Sequence, residues 1–146
     1  MNTSPHWIGG QWVNSNGVLF ASKNPVTQDI VWQGHAASEA AVDAAVHAAR
    51  VAFPTWSALP IAERISYLRA FARLLDEHKS GLAHTIGLET GKPLWEAATE
   101  VTTMIGKIEI SIRAHDERTG MRTTELADHT AVLRHRPHGV VAVFGP

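Results

Sequence analysis

Nine histidines, three neighbouring glutamates and a terminal Gly145-Pro146 are the features of these 146 residues that could carry chemistry. Asp128, His129, His135 and His138 gather late in the chain, and His115-Asp116-Glu117 forms a second group. Imidazole and carboxylate together are a transition-metal donor set. Neither group has H-E-x-x-H spacing or a helical i, i+4 histidine pair. His129 and His135 would share one face of a strand, whereas His138 follows Pro137 and leaves the ladder, so no metal site is predicted. Glu89, Glu96 and Glu100 could do acid–base work, with Glu96 and Glu100 four residues apart on one helical face. The same spacing describes the polar face of a helix, which is the reading adopted. The chain has no cysteine. A thiolate nucleophile, a disulfide and a cysteine metal ligand are therefore excluded, and no catalytic residue is assigned.

The elements that would position these groups follow from periodicity and turn chemistry. His6-Trp7-Ile8 and Gln11-Trp12-Val13 flank Gly9-Gly10 as a hairpin. Asn14-Ser15-Asn16-Gly17 and Asn24-Pro25 are turns, with short strands at Val18-Leu19-Phe20 and Ile30-Val31-Trp32. Ser38 is an N-cap for a helix whose apolar face holds Val42, Ala45, Val46, Ala49, Ala52 and Phe53, and Pro54 is expected to stop it. A second helix opens at Pro60 and buries Ile61, Ile65, Leu68, Ala72 and Leu75, leaving Arg64, Arg69 and Arg73 to solvent. Ser80 caps a third, ended by Gly91 in a left-handed conformation. The fourth carries Leu94, Ala98, Val101, Ile105, Ile108 and Ile112 at alternating spacings of four and three. Run from Leu94 to His115, it would be roughly 33 Å long at ~1.5 Å per residue. Gly120 closes the helical region, and strand-like stretches follow at Arg122 to Leu126 and Thr130 to Arg136.

The bulk properties narrow the classes. At 45% hydrophobic and 18% charged the chain has enough apolar material for a core. A net charge of −1, with no basic face evident in the sequence, gives no support for nucleic-acid or membrane-surface binding. No apolar run approaches the roughly 18 to 20 residues of a membrane span, and residues 1–6 lack the pattern of a secretory signal. A cytoplasmic location is compatible with all of this.

Val140-Val141-Ala142-Val143-Phe144 is apolar on both faces, the pattern of a strand buried on both sides of a parallel sheet. Such a strand needs neighbours supplied through crossovers of a dozen or more residues. No earlier segment offers one, so further polypeptide beyond residue 146 is expected. Ligands bind beyond the carboxyl ends of parallel strands, where Gly145 and Pro146 lie. No G-x-G-x-x-G or phosphate-loop pattern accompanies them, and on spacing alone they read as a simple turn.

Trp7-Ile8-Gly9-Gly10-Gln11-Trp12-Val13, Asn24-Pro25-Val26-Thr27, and Ala48-Ala49-Arg50-Val51-Ala52-Phe53 with Trp56 resemble, in that order, the opening of aldehyde dehydrogenases. So do Glu89-Thr90-Gly91-Lys92-Pro93 with Glu96-Ala97 and Glu100-Val101, and Pro137-His138-Gly139-Val140-Val141. The stretches Glu96 to Val101 and Leu133 to Val140 carry a narrower match, to members acting on succinylglutamate semialdehyde. The resemblance implies an α/β fold cut at the front portion of that architecture. Residues 1–37 would form the hairpin and short strands, and 38–120 a helical layer of the cofactor-binding domain. Residues 121–137 would be oligomerisation strands, and 138–146 the first strand of a Rossmann-like nucleotide sheet.

It also implies a chemistry. A cysteine thiolate adds to the aldehyde, hydride passes to NAD or NADP, and a glutamate-activated water releases the carboxylate, splitting one hard oxidation into easier steps. The thiolate, the base and the glycine-rich motif would all lie beyond residue 146, so the chain alone is expected to be inactive and to hold no cofactor tightly. Phe144, Gly145 and Pro146 are the implied cofactor contacts, through backbone atoms. Met104, Lys107 or Arg113 would stand near the substrate tunnel, although long cations on a helix more often reach into solvent. The implied partners are a small aldehyde and further copies of the same enzyme, with neither nucleic acid nor membrane. The alternative is a non-catalytic helical module whose amphipathic stripes bind a partner.

Overall fold

The computed structural model describes residues 6–145. Three antiparallel hairpins and four helices follow one another along the chain. Strands β1 (His6–Ile8) and β2 (Gln11–Val13) pair across Gly9 and Gly10. Both glycines have positive φ, 59° and 82°, the backbone that a two-residue hairpin with native twist requires. Trp7 faces Trp12 across the ladder with ring centroids 5.1 Å apart. Strands β3 (Leu19–Lys23) and β4 (Ile30–His35) form a second hairpin with a register shift at Ser22/Lys23. Its turn is built by Asn24, whose Oδ1 accepts from the amides of Val26 and Thr27 at 2.8 and 3.3 Å.

Ser38 caps helix α1 (Glu39–Ala58), its hydroxyl accepting from the Ala41 amide at 3.3 Å. Pro54 was expected to stop this helix and does not: α1 runs on for another turn. So close to the C-terminal end the proline deprives only the Arg50 carbonyl of its partner, and Arg50 is exposed, so water can serve instead. Trp56 in that last turn packs against Tyr67, with centroids 5.8 Å apart. No residue of α1 is buried among the described residues, so its apolar face is only partly covered.

Helix α2 (Ile61–Glu77) begins one residue after Pro60. It buries Leu75, half-buries Ile65 and Ala72, and leaves Ile61 and Leu68 exposed. Arg64, predicted to be solvated, is instead half-buried. Helix α3 (Lys79–Thr90) starts at the residue after His78, which also terminates α2. Ser80 therefore lies inside the first turn and is not the cap, because α3 grows directly from the end of the helix before it. Gly91 ends α3 with φ 74°, and a Cβ there would stand 2.9 Å from Cγ of Pro25. The α3–α4 corner thus rests on the turn of the second hairpin.

Helix α4 (Leu94–Arg118) is the longest element. Most of its expected stripe packs: Val101 and Ile112 are buried, as is Ala97, and Ala98, Ile105 and Ile108 are half-buried, whereas Leu94 in the first turn is exposed. Ala83 of α3 meets Ala97 and Val101 to form the core, with Leu82 and Ile86 around it. Outside that core Arg69 of α2 reaches α4, its Nε and Nη2 donating to Glu109 at 2.8 and 3.2 Å. Strands β5 (Arg122–Glu125) and β6 (Thr130–Leu133) pair with each other, and every residue of both is exposed. Among the described residues no helix is long and apolar enough to cross a membrane.

Candidate functional site

The segment after β6 carries the predicted cofactor contacts. Gly139 has φ 104°, a backbone that a side chain would resist. It turns the chain along α1, where Val140 and Val141 meet Ala49, Ala52, Phe53 and Trp56 around a recess of about 310 Å³. From there the chain leaves the body of the molecule. Val140 is 39% exposed, Val143 89% and Phe144 93%. Among the described residues Val140 to Phe144 join no strand, and no backbone hydrogen bond of this stretch is made.

Gly145 has nothing within 4 Å of the position a Cβ would take. Pro146 lies outside the described residues. Phe144 and Gly145 thus offer a backbone edge with free donors and acceptors and room beside it. No cation stands among the residues lining the recess behind it, so the edge carries no side chain suited to a pyrophosphate.

The three side chains placed near a substrate are all on α4. Met104 is 43% exposed, and Lys107 is exposed. Arg113 lies 3.9 Å from Glu117 one turn on, both largely in solvent. The late histidines do not converge. His129 Nδ1 meets the carboxylate of neighbouring Asp128 at 2.5 Å, and His135 Nδ1 meets the Gly120 carbonyl at 3.1 Å. Among the described residues no group of three or more His, Asp or Glu could hold a metal ion.

Two charged arrangements escaped the sequence reading. The Lys92 ammonium donates to Glu100 and lies 3.7 Å from Glu96. Two of the glutamates considered for acid–base work are therefore tied to a cation at the head of α4. The hydrogen bond to Glu100 raises the Lys92 pKa above its ordinary value, against the opposing effect of desolvation. The Lys92–Glu96 spacing of four was the visible signal. The second is a recess of about 450 Å³ below the end of α4, where Arg64, Arg134 and Arg136 are brought together with His115 and His135. These residues come from α2, α4 and the segment around β6, and no local spacing announces them.

Residues 12–146 match the aldehyde dehydrogenase family. The chain is 57% identical over 140 residues to N-succinylglutamate 5-semialdehyde dehydrogenase from Pseudomonas fluorescens, covering 96% of this chain and 29% of that enzyme. Its fold matches an NAD-dependent benzaldehyde dehydrogenase from Corynebacterium glutamicum with TM-score 0.77 and 31% identity, over 86% of this chain and 28% of that one. A betaine aldehyde dehydrogenase from Staphylococcus aureus, solved in complex with NAD+, matches with TM-score 0.76 and 26% identity, over 86% of this chain and 26% of that one. The chain therefore spans less than a third of the length of the relatives it matches.

Proposed function

Because the chain belongs to the aldehyde dehydrogenase family, we propose that it is the front portion of an NAD(P)-dependent enzyme oxidising N-succinylglutamate 5-semialdehyde to N-succinylglutamate. The observation that carries the substrate is the 57% identity to the Pseudomonas fluorescens enzyme, which extends over 96% of this chain. In the net reaction the aldehyde and water give the carboxylate with release of two protons, and the nicotinamide, when bound, would take the hydride.

The contribution of these residues is positional. Val140 to Phe144 supply the first strand of a nucleotide sheet, which explains a five-residue apolar run with no ladder partner among the described residues. Phe144 and Gly145 run along the cofactor and meet it through backbone groups. The exposed β5–β6 hairpin supplies edges for pairing with further strands of a homo-oligomer. The chain has no cysteine, so the thiolate must come from polypeptide beyond these residues. Alone, the 146 residues neither turn over an aldehyde nor retain the dinucleotide.

A graft tests this reading. The chain replaces the matching segment of the Pseudomonas fluorescens enzyme, and NAD reduction is followed with succinylglutamate semialdehyde and with unrelated aldehydes. The expected outcome is a folded chimera that prefers the succinylated aldehyde. A folded chimera that binds NAD but ignores that substrate, while the parent enzyme oxidises it, would overturn the assignment.

A further inference from the structure

We propose that the recess beneath the end of α4 is a binding site for a multivalent oxyanion. It is an open recess of about 450 Å³, room for a phosphate or a small dicarboxylate, and every charged or chargeable side chain that lines it is basic: Arg64, Arg134, Arg136, His115 and His135. The chain as a whole has a net charge of −1, so this is a local concentration and not a reflection of general basicity. Arg134 and Arg136 have no ion pair among the described residues.

Arg64 forms part of the recess wall. Nε of Arg64 is buried and has no hydrogen-bond partner. That atom has no accessible surface, so what Arg64 offers the recess is the rest of its guanidinium, a group matched to the paired oxygens of a carboxylate or phosphate. The lining hydroxyl of Thr119 donates to the His115 carbonyl at 2.8 Å, and the Thr119 amide donates to the same carbonyl at 2.9 Å.

Two effects oppose an anion here. The C-terminal end of α4 carries a partial negative charge of about half a unit, and Asp116 lies 3.4 Å from Nδ1 of His115. Three guanidinium charges outweigh the first. Asp116 is not among the residues lining the recess, which limits the second.

The test is isothermal titration calorimetry of the 146-residue chain with inorganic phosphate and, separately, succinate, at constant ionic strength set by sodium chloride. Saturable binding of at least one anion is expected, weakened about tenfold by Arg64→Gln and by Arg136→Gln, the scale of losing one charge-assisted hydrogen bond. Arg73→Gln, elsewhere on α2, should leave binding as it was. Tighter binding of phosphate identifies a phosphate-bearing ligand and tighter binding of succinate a dicarboxylate; either supports the site. Absence of saturable heat from both, equal competition by chloride, or parent-like binding in the arginine variants overturns it. Should Arg64→Gln fail to fold, the exposed Arg136→Gln carries the comparison.

Discussion

Replacing Val101 with alanine probes the junction on which the helical layer depends. Val101 is fully buried and packs against Ala83 and Ala97. The substitution removes two methyl-sized groups, at ~0.8 kcal/mol each in transfer free energy. The void adds a further cost because the surrounding side chains, Leu82, Ile86 and Ile105 among them, relax into it only in part. Together these give a loss of about 2–3 kcal/mol, within the range of large-to-small core changes. With an unfolding entropy of ~2.1 cal/mol/K per residue, that lowers Tm by roughly 6–10 °C.

Thermal melts followed by far-ultraviolet circular dichroism give the measurement, and Val143→Ala supplies the control. Val143 is 89% exposed, and surface changes of this kind stay within about 0.5 kcal/mol, so its melt should coincide with the parent's. Equal shifts for the two variants, or a Val101→Ala melt indistinguishable from the parent's, would refute the claim that α3 and α4 are joined through this contact.

Gly91→Ala should destabilise by about 2 kcal/mol in urea titrations. A left-handed alanine costs ~1–2 kcal/mol, and its Cβ would meet Pro25 Cγ at 2.9 Å. Adding Pro25→Ala should return only the contact part of the loss, and a neutral single variant would remove the argument. The hydrogen bond from Arg69 holds the Glu109 carboxyl below the ordinary carboxylate range. The pair therefore stabilises the fold above the pKa of the unfolded carboxylate, and that contribution disappears as pH falls through the depressed folded value. Both partners are more than half exposed, so the effect is small and screened by salt. Glu109→Gln should flatten that part of the acid limb of Tm against pH at low ionic strength; an unchanged limb would discount the pair.

The elements visible in the sequence were those fixed by local chemistry. Gly9-Gly10 between alternating strands could hardly be anything but a tight hairpin, and the α4 stripe announces the helix because its spacing is the packing interface itself. Gly91 was legible because a left-handed helix end selects glycine. Pro54 misled because the rule concerns helix interiors, and near a helix end the lost bond is one that solvent can replace. Ser80 misled because a helix that follows directly from another needs no separate cap. A place opposite an apolar stripe predicts solvated arginines, yet Arg64 lines a recess shared with residues far away in the chain. A site assembled from several distant segments leaves no spacing to find. The predicted cofactor contacts came from family resemblance, because Gly145 and Pro146 by themselves carry the pattern of an ordinary turn.

Ala83 and Ala97 are both essentially inaccessible, and they are the smallest side chains that still fill the space between α3 and α4. Their methyl groups act as the gauge that sets the separation of the two helix axes, and with it the height of the bend at Gly91. Since that bend leans on Pro25, a loop far upstream in the chain takes its position from two alanines of other elements. Bulkier residues at either alanine would act as a wedge, with the displacement showing first in the β3–β4 turn.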